Sequence, residues 1–299
     1  MKIGITGGSG LIGSALTDHA VEHSHEVVIF SRGVRTTGTG KAVTFRPWDP
    51  TKRKLDNIDD LDIIINLAGS TLAAFPWNAK RKQVIRASRV ESGLTIVEAL
   101  SKISNKPKVL FQASAIGYYG TSEESEFTES SPLGSDFLSG VCRDWEASTE
   151  PVEAMGIRRV IGRIGLVLHP SAGFLPKLKM MTNLLLSGPM GTGRQWYSWI
   201  HIDDLVQAVF HTIENERYSG AINLTASNPV HMDEFGKTLA KVLRKPYWLP
   251  IPKFAFQLLL GEMSTLLLDG QKVIPSRLLE GGFDYRYGDL ELALRDIYK

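Results

Sequence analysis

The segment Thr6-Gly7-Gly8-Ser9-Gly10-Leu11-Ile12-Gly13 constrains this chain most, because of its neighbours. A β-branched run, Lys2 to Thr6, leads straight into it, and Leu11 to Glu22, apolar at helical spacing, follows at once. A strand that turns through glycines into a helix leaves the helix's first N–H groups free beside a partial positive charge. Gly7 suits the tight turn, Gly10 lets the backbone approach a pyrophosphate, and Gly13 allows close helix packing, with Leu11 and Ile12 presenting their N–H groups. An ordinary glycine-rich turn can share these letters, but the strand before it and the helix after it favour a dinucleotide site.

The rest of the first half repeats that alternation. Strands are expected at Glu26 to Phe30, Ala42 to Phe45, Asp62 to Asn66, Lys108 to Ala113 and Ile157 to Ile161. Helical spacing marks Lys80 to Leu100 and Asp144 to Met155. Repeated βαβ order predicts an α/β fold, a Rossmann doubly wound parallel sheet, over residues 1–168, with later segments able to add to it. After Leu168 the glycines and prolines become frequent, which predicts a smaller C-terminal α+β substrate region over 169–299. Helices are expected there at Asp204 to Glu214, with Asp203 as N-cap, at Asp233 to Leu243 and at Asp289 to Ile297. The loop Gly188 to Arg194, with Trp196 and Trp199, is a candidate substrate lid, against the alternative of a structural loop capped by buried aromatics.

The cofactor can be narrowed further. A dinucleotide site commonly ends its second strand on an acidic residue that holds the ribose 2′-hydroxyl. Here the strand ends Phe30-Ser31-Arg32, and a hydroxyl beside a guanidinium suits a 2′-phosphate. NADP(H) is therefore expected over NAD(H), against the plainer alternative of a solvated turn arginine. Asn66-Leu67-Ala68-Gly69 ends the fourth strand, where the small Ala68 and Gly69 after Leu67 would let the backbone lie along the adenosine and nicotinamide ribose, against the plainer reading of Leu67 and Ala68 as core.

Charge and cysteine content set the wider limits. With 34 Lys+Arg against 32 Asp+Glu there is no strong basic field, so a nucleic-acid partner is not expected. The lone Cys142 can form no intramolecular disulfide, and no metal site is expected. His201 reads as a strand residue with satisfied hydrogen bonds rather than a ligand. The N-terminus lacks the pattern of a signal peptide, and the most apolar stretch, Phe254 to Leu268, is interrupted by polar residues and falls short of the ~20 residues of a membrane span. It reads as a core helix. A cytoplasmic chain with a small-molecule substrate and no membrane partner is expected.

Several stretches carry a resemblance. Thr6 to Gly13 looks like the TGxxGxxG loop, and Asn66 to Gly69 like the N-x-A-G turn, of the extended short-chain dehydrogenase/reductase superfamily. Ile85 to Arg89, Asp144 to Ala147, Gly191 to Asp204, and the tail Gly270 to Pro275 with Gly282-Phe283 resemble its atypical "epimerase family" branch, NAD-dependent epimerase/dehydratase-like, with a family-specific C-terminal tail at about 249–297. The resemblance spans nearly the whole chain. It implies cofactor binding, and it places Arg89 where the superfamily has an Asn, within reach of a cofactor phosphate or ribose.

Set against the superfamily's Tyr-x-x-x-Lys segment, this chain has Leu138 in place of the Tyr and Cys142 in place of the Lys. In the superfamily the Tyr exchanges a proton with the substrate oxygen while the Lys lowers the Tyr pKa and holds the ribose, and neither replacement can do the original job. The family serine is retained as Ser114, with Tyr118 and Tyr119 as candidates for the missing acid. Tyr197 and Leu166 stand where nucleotide-sugar epimerases carry an Arg and an Asn, which argues against a nucleotide-sugar substrate. The expected function is an NADP(H)-binding oxidoreductase or epimerase-like enzyme acting on a small molecule. The alternative is a catalytically inactive NADPH-binding sensor or protein-interaction module.

Overall fold

A computed structural model describes residues 1–33, 42–74 and 76–299. Eight strands form the central sheet: β1 Lys2–Thr6, β2 Glu26–Ser31, β3 Val43–Asp49, β4 Lys54–Leu55, β5 Ile63–Asn66, β6 Val109–Ala115, β7 Arg158–Ile164 and β8 Gly220–Leu224. Their spatial order is β8-β7-β6-β5-β1-β2-β3-β4, all parallel except the short edge strand β4. Thr6 pairs with Phe30 of β2 on one side and Asn66 of β5 on the other. The order therefore reverses at β1/β5, the switch point where open α/β sheets bind ligands at their carboxyl ends.

Period-two alternation makes the sheet a middle layer. Val27 and Ile29 face a core with Leu16 and Ala20 of α1 (Leu11–Glu22), while Val28 and Phe30 face one with Ile96 and Leu100 of α2 (Ala79–Ser101). Residues from beyond Leu168 join the first core through β8 and through Leu205, Val209 and Ile213 of α5 (Ile202–Glu214). A third core, built on Tyr197, Trp199 and Phe235, lies under α4 (Leu175–Asn183), α6 (Met232–Val242), α7 (Lys253–Leu260) and the last helix, Leu290–Ile297.

Three local expectations are corrected. The helix expected over Asp144 to Met155 is α3, Phe137–Ala147, followed by a 3₁₀ segment, Glu150–Met155. Asp136 caps α3 by accepting from the Ser139 N–H at 2.8 Å, and at its end the Ser148 and Thr149 hydroxyls turn back onto the carbonyls of Trp145 and Glu146. Such back-bonding and Pro151 end the α-helix there. The cap of α5 is His201, whose Nδ1 accepts from the Asp203 N–H at 3.1 Å, with Asp203 itself in the first turn. The Phe254 to Leu268 run is not one core helix: Gly261, at φ +53, ends α7, and a 3₁₀ turn and a single α-turn complete the run. Phe256, Met263 and Leu268 are buried, whereas Phe254, Leu258 and Leu259 stand in solvent. Among the described residues no helix is long and apolar enough to cross a membrane.

Candidate functional site

The glycine turn is built for close approach. Gly7 sits at φ +71, a region that disfavours side chains. A Cβ on Gly13 would stand 2.5 Å from the Gly7 carbonyl and 2.6 Å from Gly8 Cα. The Gly10 N–H donates to Gly7 O at 3.0 Å, and Gly10 then caps α1 with no side-chain hydrogen bond and no acidic residue in the first turn. The N–H groups of Leu11, Ile12 and Gly13 are the donors such a helix start leaves free. A buried polar ladder fixes the adjoining strand ends: Thr6 Oγ1 donates to Asn66 Oδ1 at 2.6 Å, and Asn66 Nδ2 to Gln112 Oε1 at 2.9 Å.

Ser31 closes β2, its Oγ accepting from the Gly33 N–H at 3.3 Å, and Arg32 is exposed with no ion pair among the described residues. After β5, Leu67 packs on the first core, Ala68 is buried, and Gly69 lies against Arg89. A Cβ there would come within 3.1 Å of the Arg89 guanidinium carbon. Arg89 Nη1 donates to the carbonyls of Ile85 and Ser70 at 3.0 and 3.2 Å, and its guanidinium stands 5.0 Å from the Trp145 ring. No carboxylate pairs with it among the described residues, and burial lowers its pKa from the usual arginine value. This half-buried, uncompensated cation beside the β5 turn fits an anionic ligand.

Ser114 and the two tyrosines have a different setting. Ser114, 3% exposed, donates from Oγ to Glu146 Oε1 at 2.6 Å. The same carboxylate takes Arg163 Nε at 3.0 Å and Nη2 at 2.9 Å. Arg163 Nη1 donates to Tyr119 OH at 3.0 Å, and Tyr119 OH donates to Asn223 Oδ1 at 2.6 Å. Tyr118 lays its ring 3.4 Å from the Arg163 guanidinium carbon. Burial works against the Arg163 charge, but the Glu146 bonds outweigh it and raise its pKa. Burial also pushes the Tyr119 phenol up to about 12. The Tyr119 and Ser114 hydroxyls thus both act as donors within the protein, to Asn223 and to Glu146.

A cleft of about 510 Å³ opens beside this network, walled by Leu138 and Cys142 of α3, by Trp77, Phe137 and Leu166, and by the C-terminal stretch Glu262 to Gln271. Arg89 lines it too, joining it to the β5 turn. Burial, then the Glu146 charge, pushes the Cys142 thiol up to about 12. Lys82 of α2 is ion-paired with Glu262 across the cleft's edge. The lid expected at Gly188 to Arg194 is instead structural: Gln195 Nε2 donates to Met190 O at 3.1 Å and Leu267 O at 3.0 Å, and fully buried Trp199 donates to Asn228 O at 3.2 Å. Trp196 does line the cleft. His201, Asp203 and Asp296 bring ligand-type atoms within 4.8 Å of one another, but His201 Nδ1 serves as a cap and Asp296 pairs with Lys299 at 2.6 Å.

Glu146, Arg163 and Asn223 were not anticipated as site residues, although an arginine inside the apolar run Val160 to Ile164 is itself the sign of a buried partner.

Residues 3–224 match the NAD dependent epimerase/dehydratase family, and residues 251–297 match a domain of unknown function, DUF1731. The chain belongs to the NAD dependent epimerase/dehydratase family. Within it, the chain is 42% identical to the epimerase family protein YfhF of Bacillus subtilis, covering 99% of this chain and 98% of that one. The human epimerase family protein SDR39U1, solved with NADPH, superposes with a TM-score of 0.88 at 30% identity, covering 99% of both chains. A nucleoside-diphosphate sugar epimerase from Corynebacterium glutamicum gives 0.80 at 30% identity, covering 99% of this chain and 58% of that one. Together these make the chain an atypical extended short-chain dehydrogenase/reductase of a family that binds nicotinamide dinucleotides.

Proposed function

We propose that the chain is an NADP(H)-dependent oxidoreductase acting on an apolar small molecule in the cleft beside Leu138 and Cys142. The observation that carries this reading is Arg89, a half-buried cation with no carboxylate partner among the described residues, held against Gly69 and lining the same cleft. Gly7, Gly10, Leu11, Ile12 and Gly13 would cradle the pyrophosphate, Leu67, Ala68 and Gly69 the ribose side, and Ser31 with Arg32 the 2′-phosphate. The similar human SDR39U1, solved with NADPH, supports the phosphorylated form.

When bound, NADP(H) supplies a hydride equivalent. The described side chains taken up here already have partners. Leu138 has no proton to give, the Ser114 hydroxyl donates to Glu146, the Tyr119 hydroxyl to Asn223, and Lys82 is held by Glu262. Of the carboxyl groups on the wall, Asp136 accepts from the Ser139 N–H and Glu262 pairs with Lys82. The one proton that must accompany the hydride would then come from water, which suits an acceptor whose reduced anion is spread over a conjugated ring. Trp77, Phe137, Leu138, Leu166 and Trp196 give such a ring an apolar, aromatic bed. A quinone is the substrate class that meets both conditions.

The test is NADPH oxidation by the purified chain with 2-methyl-1,4-naphthoquinone and with cyclohexanone, and NADP+ reduction with UDP-glucose. Turnover of the quinone with little of the other two is expected. Binding of NADPH without quinone turnover would overturn the reaction, and faster turnover of UDP-glucose would overturn the substrate class.

A further inference from the structure

The apolar run around α7, expected in the core, lies largely on the surface. Eight of the thirteen large apolar side chains exposed among the described residues fall in two segments: Met180, the Leu184 to Leu186 run, Trp248, Phe254, Leu258 and Leu259. Phe254, Leu258 and Leu259 are 69%, 84% and 70% exposed. The two segments are neighbours. Trp248 and Leu249 both donate their N–H to Ser187 O, at 2.9 and 3.0 Å, and Ile251 donates to Pro189 O at 2.9 Å. Apolar groups this concentrated mark an interaction surface rather than scattered surface residues.

Charge identifies the partner. Residues 175–186 and 243–260 carry Lys177, Lys179, Arg244, Lys245 and Lys253 and no Asp or Glu, in a chain whose whole is almost balanced at 34 Lys+Arg against 32 Asp+Glu. A second copy using the same patch about a two-fold axis would bring these cations against one another. An anionic bilayer meets both features, taking leucine, phenylalanine and tryptophan into its interface while its headgroups attract lysine and arginine.

We propose that the face formed by α7, Trp248 and the end of α4 docks peripherally on anionic membrane. The segment after α7 continues into Thr265 and Leu266 on the cleft wall, so the docked face adjoins the cleft.

The test is co-sedimentation of the full chain with phosphatidylcholine vesicles, with and without phosphatidylglycerol, alongside Trp fluorescence. The account expects pelleting only with phosphatidylglycerol vesicles, with a blue-shifted emission that Trp248→Phe removes. Lys245→Glu with Lys253→Glu should weaken partitioning about ten-fold, and Leu258→Ser with Leu259→Ser should weaken it without lowering Tm. No pelleting with phosphatidylglycerol vesicles would overturn the proposal. So would sedimentation velocity showing a dimer that Leu258→Ser with Leu259→Ser dissolves, because the face would then belong to a second copy.

Discussion

Glu146 receives Arg163 in a fork, Nε to Oε1 at 3.0 Å and Nη2 to Oε2 at 2.9 Å, with the two side chains only 10% and 6% exposed. The pair sits where a catalytic centre is expected, and its geometry says that it holds the end of β6, α3 and β7 together. Ser114 and Tyr119 complete it. Removing one partner of a buried ion pair strands the other charge, at a cost of about 3–5 kcal/mol. Glu146→Gln should therefore lower the unfolding free energy by about that much in urea titration, while Glu146→Leu with Arg163→Met should lose markedly less.

Arg89 is predicted to behave in the opposite way. Its charge is burdened by burial and meets no carboxylate among the described residues. Arg89→Met should leave Tm unchanged or raised and weaken NADPH binding about ten-fold or more, the scale of a charge-assisted hydrogen bond at ~1.5–3 kcal/mol. Thermal scans paired with calorimetric titration separate the two effects; a large drop in Tm would mean that Arg89 is a structural residue.

Arg32 is predicted to set cofactor choice. Arg32→Ala should weaken NADPH about ten-fold or more and leave NADH within about two-fold, because only the 2′-phosphate is affected. An equal loss for both dinucleotides would move Arg32 away from that phosphate.

Cys142 yields a pH prediction. Its folded-state pKa is raised from 9.0 to about 12, chiefly by burial. An unfolded chain sheds this proton above about 9 while the folded chain keeps it, so this contribution to stability is complete below 9 and is lost as pH rises towards 12. At pH 8 the native thiol should resist Ellman's reagent and become reactive on adding urea. Rapid native labelling would show a reachable thiolate.

The fold was legible because its signals are local. The span of α1 is read correctly to the residue, since the glycine turn fixes its start. Asp144 to Met155 misled because helical spacing continues past Ala147, while the Ser148 and Thr149 back-bonds and Pro151 break the backbone. The site was legible only where one segment carries it, as at Gly7 to Gly13. The Glu146, Arg163 and Asn223 network joins three elements far apart in sequence, and no spacing rule encodes it. The same applies to Phe254 to Leu268: composition shows that it is apolar, but tertiary placement decides which side chains meet water.

The most direct measurement is calorimetric titration of the purified chain with NADPH and with NADH under identical salt. The account predicts one site per chain with NADPH bound at least about ten-fold more tightly, as a charge-assisted contact worth ~1.5–3 kcal/mol requires. Equal affinities, or no binding of either dinucleotide, would contradict it.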